Sequence, residues 1–126
     1  MVQTKMRTVD MLVVDDDPLI REVLMAYYTS RNIHVIAVPD AATCLQEITK
    51  RRYDVVVLDA GEATFTIRPY DLAATIKDLK PSAVLIGHTG RGQPIDDSSF
   101  DAVVTKGPDS YKKILDILQE HLLYSS

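Results

Sequence analysis

Five short apolar runs, each ended by polar or breaker residues and separated by segments of helical period, constrain the fold of this chain more than any other feature. The runs are Met11–Val14 (MLVV), Ile33–Val38 (IHVIAV), Asp54–Leu58 (DVVVL), Ala83–Gly87 (AVLIG) and Asp101–Thr105 (DAVVT). Short length, β-branched content and flanking breakers read as strands. The run at Asp54–Leu58 carries no polar alternation, as a strand covered on both faces requires.

The intervening segments follow the helical period. Ile20, Val23, Leu24, Tyr27 and Tyr28 recur at i, i+3, i+4, i+7 and i+8, which predicts one apolar face on a helix ending near Ser30. Asp17 before Pro18 marks its start, with Asp as N-cap and Pro at the first helical position. Asp40 caps a second helix with Ala41, Cys44, Leu45 and Ile48 inward and Lys50 to Arg52 at its negative end. A third is predicted over Pro69–Leu79, with Leu72, Ile76 and Leu79 inward. The last spans about Asp109–Leu122, with Ile114, Ile117, Leu118 and Leu122 inward. Gly90 to Ser99 holds two glycines, a proline and two serines, so a helix there is short or broken.

Strands alternating with helices predict an α/β fold: a doubly wound five-stranded parallel sheet between helical layers, three layers αβα in all. Right-handed crossovers leave few topologies, and the flavodoxin-like order 2-1-3-4-5 is the expected one. At 126 residues and 46% hydrophobic, the chain is expected to be one domain over 1–126 without an output domain. A net charge of −4 argues against non-specific nucleic-acid binding. The lone Cys44 excludes a disulfide framework and reads as a core residue. The polar start, MVQTKMRT, has no apolar signal segment, and no run approaches a membrane span. A cytoplasmic protein is the expectation.

Chemistry gathers at the predicted carboxyl ends of the strands, where open α/β sheets place ligands. The first strand runs into Asp15, Asp16 and Asp17, the third into Asp59, the fourth into His88-Thr89 and the fifth into Thr105-Lys106. The order 2-1-3-4-5 puts Asp15 and Asp16 beside Asp59. Clustered carboxylates repel, and a bound cation offsets the repulsion. Oxygen ligands of this kind suit Mg²⁺. A carboxylate held there can act as a nucleophile toward phosphorus, with the metal, the Lys106 ammonium and the Thr89 hydroxyl stabilising charge. Asp17 is assigned to the helix cap.

In VVDDDP, DVVVLD, the strand-end Thr89 and the strand-end Lys106, the chain resembles the receiver domain of two-component response regulators over roughly Val9–Leu123. The resemblance implies that Asp59 is the phosphoacceptor. It makes Asp16 a direct Mg²⁺ ligand, Asp15 its partner through water, and Gly61 a backbone carbonyl ligand. Thr89 would hydrogen-bond the phosphoryl group and Lys106 would pair with one of its oxygens. Asp59 would then be phosphorylated and dephosphorylated by the domain's own catalysis, which is not a conventional turnover activity. Implied partners are a sensor histidine kinase or histidine phosphotransferase, a downstream protein, and a second copy in a homodimer; no nucleic acid or membrane is contacted directly.

The chain departs from the family pattern in its signalling half. Ala60-Gly61-Glu62-Ala63-Thr64 replaces the usual Met-Pro stretch. Val103 stands where an aromatic is common, and Gly107 separates Lys106 from Pro108. The segment from Thr89 to Lys106 is shorter than usual. A second reading is therefore an unphosphorylated pseudo-receiver that acts as a constitutive interaction module. A haloacid-dehalogenase-like phosphatase would use Asp15 and Asp17 as its Asp-x-Asp pair, but no second acidic pair falls at a later strand end. A flavin carrier is disfavoured because an acidic pocket repels phosphate.

Overall fold

The computed structural model describes residues 8–59, 69–90 and 99–123 of the chain. The described elements alternate as expected: β1 (Val9–Val14), α1 (Pro18–Thr29), β2 (Ile33–Val38), α2 (Ala41–Lys50), β3 (Val55–Asp59), α3 (Pro69–Leu79), β4 (Val84–Thr89), β5 (Ala102–Thr105) and α4 (Ser110–Leu118). A π-helical turn, Gln119–Leu123, continues α4. All strands pair in parallel, in the order β2-β1-β3-β4-β5. The predicted sheet is the observed one.

Two apolar clusters, one on each face of the sheet, make it the middle of three layers. Leu12, Val14, Val56, Leu58 and Leu85 meet α2 and α3 through Cys44, Ile48, Leu72 and Ile76. Met11, Val13, Val55, Val57, Ile86 and Val104 meet α1 and α4 through Leu24, Tyr28, Ile114 and Leu118. Alternate residues of one strand feed opposite clusters because strand side chains alternate faces. Cys44 is fully buried, as a core residue should be.

Local signals set the helix starts. The Asp17 carboxylate accepts from Leu19 N at 2.9 Å with Pro18 at the first position, and Asp40 accepts from Thr43 N at 2.8 Å. Each cap satisfies one orphan N–H, an effect of about 1 kcal/mol. Asn32, at φ 65°, takes the left-handed turn into β2 that Asn tolerates better than most residues.

Three details differ from the sequence expectation. β1 begins at Val9 rather than Met11, because Val9 and Asp10 extend the ladder with Ile33 and His34. Leu79, expected inward, is exposed; it is the last helical residue, beside the exposed Pro81–Ser82 turn. Val23, also expected inward, is 42% exposed and stands on the margin of the α1 stripe, while Leu24 and Tyr28 fill the core. The predicted break between Gly90 and Ser99 falls largely outside the described residues.

Candidate functional site

Strand register brings the chemistry together. Asp59 pairs with His88 across β3 and β4, and Thr89 pairs with Thr105 across β4 and β5. Met11 and Val13, Val55 and Val57, Val84 and Ile86, and Val104 all face the α1/α4 layer. Counting two residues on along each strand, Asp15, Asp59, His88 and Lys106 continue that face at the carboxyl edge. The backbone ladder holds the ends in place: Asp15 N donates to Val38 O at 3.1 Å, and Lys106 N to Thr89 O at 2.7 Å.

Ligand oxygens of Asp15, Asp16 and Asp59 lie within 4.8 Å of one another. Asp15 and Asp59 are buried and Asp16 is exposed. Two buried like charges this close repel by roughly 3–4 kcal/mol at an effective dielectric of about 20. Lys106 opposes that repulsion, its Nζ standing 3.1 Å from Asp15 Oδ2 and 3.1 Å from Asp59 Oδ1. Burial of the ammonium acts to lower its pKa. The charges and hydrogen bonds of Asp15 and Asp59 outweigh burial, and the group is held above its ordinary value. One ammonium against three carboxylates still leaves the pocket electronegative.

Asp15 is further fixed by Asp17 N, which donates to its Oδ1 at 2.9 Å, and Arg21 Nη1 donates to its backbone carbonyl at 2.8 Å. Asp17 is turned to its cap and lies outside the acidic cluster. Thr89 is buried one residue beyond the register partner of Asp59, and its hydroxyl donates to Gly90 O at 3.4 Å. Gly61 and Glu62 lie outside the described residues. The structure thus brings Asp15, Asp16, Asp59 and Lys106 into one cluster, with Thr89 on the same rim.

Two residues escaped the sequence reading. Arg21 reaches Asp15 from the first turns of α1, a contact with no local sequence signal. His88 is 3% exposed at the same edge, and neither ring nitrogen has a hydrogen-bond partner among the described residues. Burial first, then the Lys106 ammonium, push its pKa down to about 4. A histidine inside an apolar strand was the available signal.

The family model for the response regulator receiver domain matches residues 11–100, and the chain belongs to that family, the receivers of two-component signalling. No curated protein matches significantly. Among solved structures, the chain is similar to the response regulator TrrA of Thermotoga maritima in complex with Mg²⁺-BeF, at 24% identity and TM-score 0.81, covering 91% of this chain and 100% of TrrA. TrrA in complex with the histidine kinase ThkA matches at 24% identity and TM-score 0.78, covering 91% of this chain and 99% of that one. NtrX of Brucella abortus in complex with ADP matches at 20% identity and TM-score 0.79, covering 92% of this chain. This chain spans 27% of the NtrX chain but the whole of TrrA. At these identities the structural likeness establishes the fold.

Proposed function

We propose that the chain is a phosphorylatable receiver that takes a phosphoryl group from a histidine kinase or histidine phosphotransferase onto Asp59, with Mg²⁺ as cofactor, and signals through protein contacts. The observation that carries this reading is the Lys106 ammonium held 3.1 Å from both Asp15 and Asp59 within a cluster of three carboxylates. A merely structural acid needs no such excess of charge. The donor set is all oxygen and fits a hard divalent cation. Asp15, Asp16 and Asp59 would hold it, with the Gly61 carbonyl. When bound, Mg²⁺ supplies counter-charge to the phosphoryl oxygens.

The residues of the chain account for the rest. A carboxylate oxygen of Asp59 attacks phosphorus, the donor's P–N bond breaks, and the departing imidazole keeps the electron pair and takes up a proton. Lys106, already at Asp59, is placed to pair with a phosphoryl oxygen, and the Thr89 hydroxyl to hydrogen-bond another. In hydrolysis a water oxygen attacks phosphorus and the Asp59 carboxylate leaves. The complex of TrrA with a histidine kinase supports a kinase as donor. The reading places the domain in the cytoplasm, acting on a protein target and open to homodimerisation, without direct contact to nucleic acid or membrane.

Intact-mass spectrometry after incubation with acetyl phosphate tests it. A phosphoryl adduct that requires Mg²⁺ and is absent from Asp59→Ala is the expected result. No adduct from acetyl phosphate or a histidine phosphotransferase, with Mg²⁺ binding established, would instead make the chain a constitutive interaction module.

A further inference from the structure

Asp16 is the exposed member of the acidic cluster, and among the described residues no hydrogen bond or ion pair reaches its carboxylate. Its direction is therefore set by its backbone, through the two peptide planes that flank it. Each plane is rigid, so a bond to one of its polar atoms orients the whole unit. The plane after Asp16 is tied by Asp17 N, which donates to Asp15 Oδ1 at 2.9 Å. The plane before it is tied by Arg21 Nη1, which donates to Asp15 O at 2.8 Å. The first tie is local to the acidic run. The second comes from a half-buried side chain on α1, whose backbone N donates to Asp17 O at 3.1 Å. Asp15 N is in turn anchored to Val38 O at 3.1 Å, so the guanidinium closes a frame between sheet, helix and Asp16.

We propose that Arg21 is a positioning residue for the metal: by holding the Asp15–Asp16 peptide it aims the Asp16 carboxylate, and so favours Mg²⁺ over Ca²⁺. The inference rests on the receiver reading, in which Asp16 is a direct Mg²⁺ ligand. Helix initiation does not call for this bond, because Asp17 already caps α1 through Leu19 N. Charge does not call for it either. A cation beside the carboxylates repels a bound metal ion, so Arg21 lowers metal affinity unless it supplies geometry. Mg²⁺ demands near-ideal octahedral geometry, whereas Ca²⁺ accepts a flexible shell, and a misaimed carboxylate therefore penalises Mg²⁺ more.

The test is calorimetric titration of the full chain with Mg²⁺ and, separately, with Ca²⁺, without a phosphoryl donor, for the parent and Arg21→Met. Methionine keeps an unbranched stem and removes both the donor and the charge. Mg²⁺ affinity is expected to fall about tenfold and Ca²⁺ affinity by less than about threefold, in line with the weight of groups that orient metal ligands. Tighter binding of both ions would overturn the proposal in favour of charge alone. An equal weakening of both would overturn it in favour of a general loosening, and unchanged binding would leave Arg21 without a role at the metal. Thermal melting without ions checks that the variant is folded. If it is not, Arg21→Lys supplies the reading, and a parent-like ratio of the two affinities there overturns the proposal, since a mobile ammonium does not hold a peptide as a planar guanidinium does. No binding of either ion by the parent would remove the metal-site reading and this inference together, whereas the other adverse outcomes remove only this inference.

Discussion

The two ends of the sheet use the same side chains to opposite effect. At the amino end Asp54 and Asp101 are matched to the backbone. Asp54 Oδ2 accepts from Asp10 N at 2.9 Å, and Asp101 Oδ2 accepts from Leu85 N at 2.7 Å and from Lys77 Nζ at 3.0 Å. Lys77 also donates to Ala83 O at 2.8 Å, so one lysine ties α3, β4 and the entry to β5 together. At the carboxyl end three carboxylates cluster and Lys106 bridges two of them, Asp15 and Asp59, beside a buried histidine with no partner among the described residues. The first arrangement is hydrogen-bonded to the backbone and closes the fold. The second retains a charge excess, with Lys106 offsetting the repulsion between Asp15 and Asp59 only in part.

The largest expected effect concerns His88. Its folded pKa of about 4 lies below the ordinary value of 6.5, so between those pH values the unfolded chain binds the extra proton. Its contribution is therefore complete above about pH 6.5 and is lost as pH falls toward 4, about 3 kcal/mol over the window. Urea unfolding across that range should show a total loss of stability in the parent that exceeds that of His88→Leu by this amount. Equal losses would mean the imidazole is paired or solvated.

Next comes the charge excess itself. Mg²⁺ that binds only the folded state stabilises it by about 2.7 kcal/mol at a hundredfold excess over its dissociation constant. Asp16→Asn should abolish that response and leave the metal-free protein no less stable, since it removes repulsion. A melting temperature indifferent to Mg²⁺ in the parent would break the contrast between the two ends.

The amino end should behave in the opposite way. Asp101→Ala strips Leu85 N of its side-chain acceptor and Lys77 of its carboxylate partner, leaving Lys77 its bonds to Pro81 O and Ala83 O, and should cost about 2 kcal/mol, with phosphorylation by acetyl phosphate unchanged in extent. If the loss of Asp101 suppressed the adduct in folded protein, the ends would not be independent. Smallest is the helix cap: Asp17→Ala should cost about 1 kcal/mol by loss of the bond to Leu19 N, measured by thermal melting, and leave the magnesium response in place. Loss of that response would make Asp17 part of the metal site.

Most of the fold was legible because a buried parallel strand and an amphipathic helix each leave a local signature. DVVVL reads as a covered strand and Asp17-Pro18 as a helix start, and β3 and α1 form there. The site was legible as far as strand ends carry it: Asp15, Asp16, Asp59 and Lys106 were identified from their positions in the chain and meet in space. Edges were less legible, as Val23 and Leu79 show, because a periodic stripe gives the direction of burial but not how far the neighbouring layer extends.

The sequence by itself determined the order of elements along the chain through periodicity, and narrowed the sheet to a few topologies of which 2-1-3-4-5, with the acids on one rim, was the expected one. Only the tertiary structure decided that Lys106 bridges Asp15 and Asp59, that Arg21 holds the Asp15 carbonyl, and that His88 lines an apolar cavity under α1. Those facts depend on distances between segments far apart in the chain, which no local pattern encodes.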